Sequence, residues 1–584
     1  MENVNFTTPE YVFSNPSYMH YLVQYEGNKY NKLDNTPGVY VTVIDDNYAV
    51  VSILSGMLED IENTKSVLDL VNNLYNSEDF MIVYVLPPEI YTLQEISAVE
   101  ASDVSYLQEE LPLKLTGKGV VVGIIDTGID YLNEEFMDSE GKTRINAIWD
   151  QTISSNKENK IVPFGTIYTK DEIDSAINIY RNGGNPYDVV ASKDEIGHGT
   201  NIAGIVGASG KNKDIKGVAP DCEFVVIKLI EAQFYKYNYE PSVPVFNAPA
   251  IFGAIEFLRD YLVREKKPVV VLLPLGSNNG NHKGNHILDN YIATVSSNIG
   301  IVIVTGSGNQ GIQDGHVSGI IKNKGDYDSI ELIVAKSQKL FFMDVWVDLP
   351  NIMEINLVAP SGESTGIIPA ILNINKKYSF VFEQTKTNIY YYLPEEYTGD
   401  QLIRLYFWDI QPGMWRLTIR LSSGKMAKYN AWLLQKGLVA EGTRFTPSDP
   451  YGTLTIPGDS DYVVTVAAYN QNNNNLLAYS GAAFIEESLN RIDFAAGGVN
   501  TKTTGLGNSV DIVNGTSVAA AVGAGACILL FQWGIVKGNY PYMYSQSIKT
   551  FLNRGTIKRR GDIYPNPQLG YGIINFYKIF ENMI

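Results

Sequence analysis

The spacing of apolar residues divides the chain into stretches of different character. In the first, GVYVTVIDD from Gly38 and YAVVSIL from Tyr48 are rich in β-branched residues and bounded by turn formers, which predicts strands. Residues 59–75 then place Ile61, Val67, Leu68, Val71 and Leu74 on one helical face, and MIVYVLPP from Met81 reads as a further strand closed by two prolines. These elements predict a small α+β unit. From Gly119 the pattern changes to near-continuous apolar runs: GVVVGIIDTGID, CEFVVIKLI, PVVVLLPLG and GIVIVTGSG. Such runs are expected of parallel strands buried on both faces, and helical segments such as 249–265 lie between them. From about Asp326 short, aromatic, turn-separated segments take over, carrying Trp346, Trp408, Trp415 and Trp432; that is an all-β sandwich pattern. After Gly452 the α/β pattern resumes with DYVVTVAAYN and the small-residue helix SVAAAVGAGACILLFQW. QNNNN at 471–475 reads as a turn between strands. The prediction is an α/β fold with a doubly wound, mostly parallel sheet, preceded by the α+β unit and interrupted by an all-β, jelly-roll-like insertion.

Composition narrows the functional classes. The 584 residues suggest two to four domains of ~150 residues. A net charge of −19 repels phosphate backbones and anionic membrane faces, so neither nucleic acid nor a membrane is an expected partner. Cys222 and Cys527, each beside an apolar run, read as buried reduced thiols rather than a disulfide framework. The N-terminus carries no basic and apolar leader, and no apolar stretch reaches ~18 residues without a polar interruption. The expectation is a protein made in the cytoplasm without a signal peptide and without membrane insertion. No dense carboxylate cluster suggests a metal site, and no cofactor is implied.

Three segments carry candidate chemistry. Asp126 ends a buried strand in Gly123-Ile-Ile-Asp126-Thr-Gly128, where open α/β sheets place functional groups. His198, in Gly197-His198-Gly199-Thr200, is flanked by glycines and followed by a small-residue helix whose start can approach another backbone closely. Ser517, in Asn514-Gly515-Thr516-Ser517, opens a second small-residue helix, where the helix dipole and a free N–H favour an oxyanion. A fourth element, Gly306-Ser307-Gly308-Asn309, follows a buried strand and offers the Asn309 amide as an oxyanion donor. The chain order Asp, His, Ser is that of subtilisin among the known triad orders.

The sequence resembles the subtilisin-like serine proteases, the subtilases, over roughly 95–325 and 450–580. DTGID, GHGTNIAG and NGTSVAAA resemble the three signature blocks, and GVAP, LPLG and SGN the segments between them. IDYLNEEF…RINAIWDQT, together with the aromatic insertion, resembles the Csp germination-specific proteases of anaerobic spore formers. The resemblance implies an endopeptidase with Ser517 as nucleophile, His198 as base, Asp126 as its orienting partner and Asn309 in the oxyanion hole. It implies that Leu273-Pro274-Leu275-Gly276 lies beside the substrate backbone. The subgroup implies a protein substrate, the zymogen of a spore-cortex hydrolase, and packaging in the spore. Asn201 and Ala521 replace a His and a Pro common in the family; neither belongs to the triad.

Subtilisin's catalytic Asp lies about 32 residues into its mature chain. Counting back from Asp126 lands on Gln94, within Tyr91-Thr92-Leu93-Gln94-Glu95. The expected domains are therefore a prodomain over 1–94, the catalytic domain over 95–325 and 449–584, and the sandwich over 326–448. The resemblance implies that the prodomain chaperones and inhibits the enzyme, and the count places a self-cleavage near Gln94–Glu95. The His-to-Ser spacing exceeds that of subtilisin by about 160 residues, mostly the sandwich, and the Asp-to-His spacing is about double, which predicts a surface excursion near residues 154–188.

Overall fold

The computed structural model describes residues 8–27, 36–58, 63–74, 80–93, 113–154, 162–372, 375–486 and 491–581. Its centre is a parallel sheet in the strand order Phe494–Gly497, Val463–Asn470, Ile301–Gly306, Val269–Leu272, Val121–Asp126, Glu223–Lys228, Ile145–Asp150. The apolar runs are continuous because these strands are covered twice. One face carries the helices Ala248–Glu265 and Ile287–Ser296, the other His198–Gly207 and Thr516–Phe531. The last helix continues to Val536 and is apolar enough in length and composition to cross a membrane. Here it is packed inside the protein, with every residue from Thr516 to Phe531 buried. Cys222 and Cys527 are buried and unpaired.

The excursion near 154–188 is more regular than its polar sequence suggests. Thr166–Thr169 adds to the sheet antiparallel to Ile145–Asp150 and leads into the helix Lys170–Arg181. That helix starts at a capping box, in which Thr169 and Glu172 each accept from the other's backbone N–H. The Asn-rich segment is the predicted turn, joining Val463–Asn470 to Asn475–Leu476.

The N-terminal unit is an antiparallel sheet of Val39–Val43, Tyr48–Leu54, Tyr18–Gly27 and Phe80–Val85. Its helix runs over Thr64–Leu74, inside the predicted span of 59–75, of which 59–62 and 75 lie outside the described residues. Val67 and Val71 are buried, Leu74 is exposed at the end, and Ile61 lies outside the described residues. Asn72 ties the helix to the sheet by accepting from Ile82 N and donating to Ile82 O. The back of the sheet rests on the large domain: Tyr48 meets Phe252 and Tyr291, which stack on each other at 4.6 Å.

Residues 316–445 form two antiparallel sheets. One has six strands in the order His316–Ile321, Ala427–Leu433, Phe341–Val347, Gln401–Trp408, Lys386–Tyr392, Asn375–Ser379; the other has four, Ile352–Val358, Gly413–Ser423, Tyr327–Val334, Arg444–Phe445. The first strand thus begins ten residues before the predicted start at 326. HVSGII escapes notice because it is a half-exposed strand at the edge of its sheet, with none of the aromatic residues that mark its neighbours. The apolar cluster between the sheets does not stop at the segment's border. It runs from Phe342, Val345 and Trp415 through Tyr235 and Val245 of the α/β domain to Tyr21 and Val51 of the N-terminal unit.

Candidate active site

Asp126 is the last residue of Val121–Asp126, so its carboxylate emerges at the C-terminal edge of the parallel sheet. His198 and Ser517 stand at the N-terminal starts of helices packed on that sheet's face. His198 Nδ1 lies 2.9 and 2.8 Å from the two Asp126 oxygens. A carboxylate there accepts a hydrogen bond from Nδ1–H, and holding the proton on Nδ1 leaves Nε2 as an acceptor. Nε2 faces Ser517 Oγ at 3.3 Å. All three side chains are buried, Asp126 and Ser517 completely, so their electrostatic interactions are weakly screened. The predicted trio is therefore assembled from positions 72 and 319 residues apart.

Two glycines make this possible. A Cβ on Gly199 would sit 2.1 Å from Gly128 O, so only glycine lets the His198 helix press against the turn after Asp126. Gly515 has φ 138°, and it turns the chain into the Ser517 helix. Asp194 braces the same region and escaped the sequence reading. It accepts from Thr127 Oγ1, Gly197 N, and Thr200 N and Oγ1 at 2.7–2.9 Å, tying the Asp126 turn to the start of the His198 helix. Its sequence signal is an acidic residue four positions before a glycine-flanked His. Asn201 is engaged structurally, donating to Thr504 O and to Asp511. The Asn309 carboxamide oxygen accepts from Thr516 N and Oγ1 at 3.3 and 3.1 Å, which fixes the amide's orientation beside the serine.

The segment 273–276 divides in two. Leu273 is held in the parallel sheet's core, its N–H donating to Val304 O, and Pro274 follows it outside any strand. Leu275–Gly276 forms a short strand that pairs antiparallel with Ile90–Leu93 of the N-terminal unit, Leu275 opposite Leu93 and Gly276 opposite Thr92. The other edge of Ile90–Leu93 pairs with Phe246–Asn247, with Tyr91 opposite Phe246. A stretch of the N-terminal unit thus lies as the middle strand of a three-stranded sheet. Gln94 and Glu95 follow it directly and lie outside the described residues.

Among the described residues, no group of three or more His, Cys, Asp or Glu side chains is placed to hold a metal ion.

The subtilase family model matches residues 117–338 and 448–572, leaving the all-β residues between them unmatched. The CspB protease of Clostridium perfringens aligns with a TM-score of 0.72 and 31% identity, over 82% of this chain and 97% of that one. Sphericase aligns at 0.42 and 14% identity, over 81% of this chain and 96% of its own. Fervidolysin from Fervidobacterium pennivorans aligns at 0.45 and 13%, over 96% of this chain and 60% of its own. A comparison with curated protein sequences finds no match. The family match spans more than half of the chain, on both sides of the all-β segment and across Asp126, His198 and Ser517, so this chain belongs to the subtilase family and is a serine endopeptidase.

Proposed function

We propose that Asp126, His198 and Ser517 are the catalytic triad, and that the enzyme processes itself at Gln94–Glu95. Ser517 Oγ attacks the carbonyl carbon of Gln94 while His198 Nε2 takes its proton. Asp126 holds the imidazole tautomer and stabilises the imidazolium. The Asn309 side-chain N–H and the Ser517 N–H meet the oxyanion of the tetrahedral intermediate. His198 then protonates the leaving amine of Glu95, and water repeats the sequence to release the acyl group. The observation that carries this reading is the pairing of Ile90–Leu93 with both Leu275–Gly276 and Phe246–Asn247. A strand gripped on both edges by main-chain bonds is how an extended substrate is held, and Gln94 is its next residue. On this reading residues 1–94 are a prodomain that fills the cleft until it is cut.

Resemblance to the Csp germination proteases supports a protein substrate in the spore, the zymogen of a cortex hydrolase, activated by limited proteolysis, with the enzyme packaged in the spore. The test is intact mass and N-terminal sequencing of the wild-type chain and of Ser517→Ala, each also incubated with a cortex-hydrolase zymogen. Wild type should give an N-terminus at Glu95 and a shortened zymogen, and Ser517→Ala neither. A full-length wild-type chain would turn the reading toward a binding role for the same fold. Cleavage more than a few residues away would overturn the placement.

A further inference from the structure

Upstream of Ile90 the chain enters a buried channel whose walls belong to the rest of the molecule. Arg404 Nη1 donates to Pro88 O at 2.9 Å. Gln435 Nε2 donates to Ile90 O at 2.7 Å, and Asn279 Oδ1 accepts from Ile90 N at 3.2 Å. These three contacts are to main-chain atoms, which any extended peptide offers. Each wall residue is fixed by its own bonds. Arg404 grips Asp344 through Nε and Nη2 at 2.6 and 2.7 Å, Asn279 bonds Ser277, and Gln435 Oε1 accepts from Asn278 N. Glu89 is met by polar groups through its side chain. His286 Nε2 lies 2.8 Å from Glu89 Oε1, with both residues nearly inaccessible to solvent, and Tyr91 donates its hydroxyl to Glu89 Oε2 at 2.9 Å.

Arg404 and Gln435 come from the all-β segment and His286 from the start of a helix of the α/β domain. The cleft therefore extends past Gly276 into a region the all-β segment helps to build. We propose that this channel is a remote substrate subsite that selects an acidic side chain six residues before the scissile bond, with His286 as its specificity-determining partner. The main chain on either side of that position is held by Arg404 and Gln435. The proposal rests on the reading of Ile90–Leu93 as a strand bound like substrate. It gives the all-β segment a role in substrate choice and defines the substrate class as protein segments with Glu or Asp at that distance from the cut.

The test keeps the enzyme constant and varies the substrate. A carrier protein displays a loop of the sequence EIYTLQEIS, and matched loops begin with Gln or Lys. Self-processed wild-type enzyme should cut the Glu loop at least about tenfold faster than either variant, because each leaves the buried imidazole without its charged partner. His286→Gln enzyme should cut the Glu and Gln loops at equal rates, a ratio that general damage to the fold does not change. Equal rates with wild-type enzyme would overturn the proposal. So would a Glu loop left intact by an enzyme that has processed itself. A wild-type chain that never processes itself is a different result, and refutes the underlying reading instead. If His286→Gln yields no folded protein, the three loops against wild type still decide.

Discussion

His198 Nδ1 lies within 2.9 Å of both Asp126 oxygens, while Nε2 of the same ring faces Ser517 Oγ at 3.3 Å. One ring thus links two side chains that have no direct bond to each other. Asp126→Asn keeps the shape but presents an amide in place of one acceptor oxygen, so the imidazole loses its fixed tautomer. Turnover should fall by about 10⁴, with thermal stability close to that of Ser517→Ala. A self-cleavage time course followed by gel densitometry reads the rate. A loss of less than about tenfold would remove Asp126 from the role proposed for it.

Asn309 acts, on this reading, only when the oxyanion forms. Asn309→Ala should lower the rate by about 10² to 10³ while leaving substrate affinity nearly unchanged. Steady-state kinetics on a peptide substrate separate the two: the loss belongs in kcat, and a change confined to KM would assign Asn309 to ground-state binding.

Gly199 tests the packing that sets the His198 position. A methyl group at 2.1 Å from Gly128 O has no flexible neighbour to yield, since the atom it meets is backbone. Gly199→Ala should therefore destabilise the fold by about 1–3 kcal/mol and displace the imidazole, with activity falling further than stability accounts for. Thermal unfolding of Ser517→Ala with and without the second substitution measures the first effect, and self-cleavage in the Ser517 background the second.

Much of this was legible beforehand, for identifiable reasons. Asp126, His198 and Ser517 sit in short glycine-marked motifs because each needs a backbone geometry that larger residues forbid. The buried parallel strands show as apolar runs because both faces are covered. Other features carry no such mark. Asp194 acts through hydrogen bonds to hydroxyls and backbone N–H groups that only the folded chain brings around it. The strand His316–Ile321 sits at a sheet edge, half exposed, and its alternation is too short to stand out. Arg404 meets Pro88 and Gln435 meets Ile90 across more than 300 residues of sequence, and nothing local to any of them announces the others. The path of Ile90–Leu93 between two other strands is likewise a tertiary fact.

Asp344 and Arg404 form a bidentate pair that is almost fully buried, and the arginine's remaining arm holds Pro88 O. Removing one charge strands the other away from water. Asp344→Asn alone or Arg404→Met alone should each cost about 3–5 kcal/mol in unfolding of the Ser517→Ala chain. The double substitution Asp344→Leu with Arg404→Met should cost much less than the sum, because neither charge is then left alone. Additive losses would show that the two residues act independently despite their contact.

The His286–Glu89 pair makes a prediction about pH. Burial opposes the imidazolium, but Glu89, with Asp289 and Glu395 nearby, outweighs it and raises the His286 pKa to about 9. Asp459 and His282 belong to the same buried group. In the unfolded chain the imidazole titrates near its ordinary value of about 6.5. A folded value above the unfolded one means that the protonated ring stabilises the fold. That contribution is complete below about pH 6.5 and is lost as pH rises through about 9. The thermal midpoint of the full-length Ser517→Ala chain should therefore fall by about a few degrees between pH 7 and 9.5. The His286→Gln version, lacking the titrating ring, should start lower and change less over the same interval. Parallel curves for the two chains would show that the pair is not the group responsible.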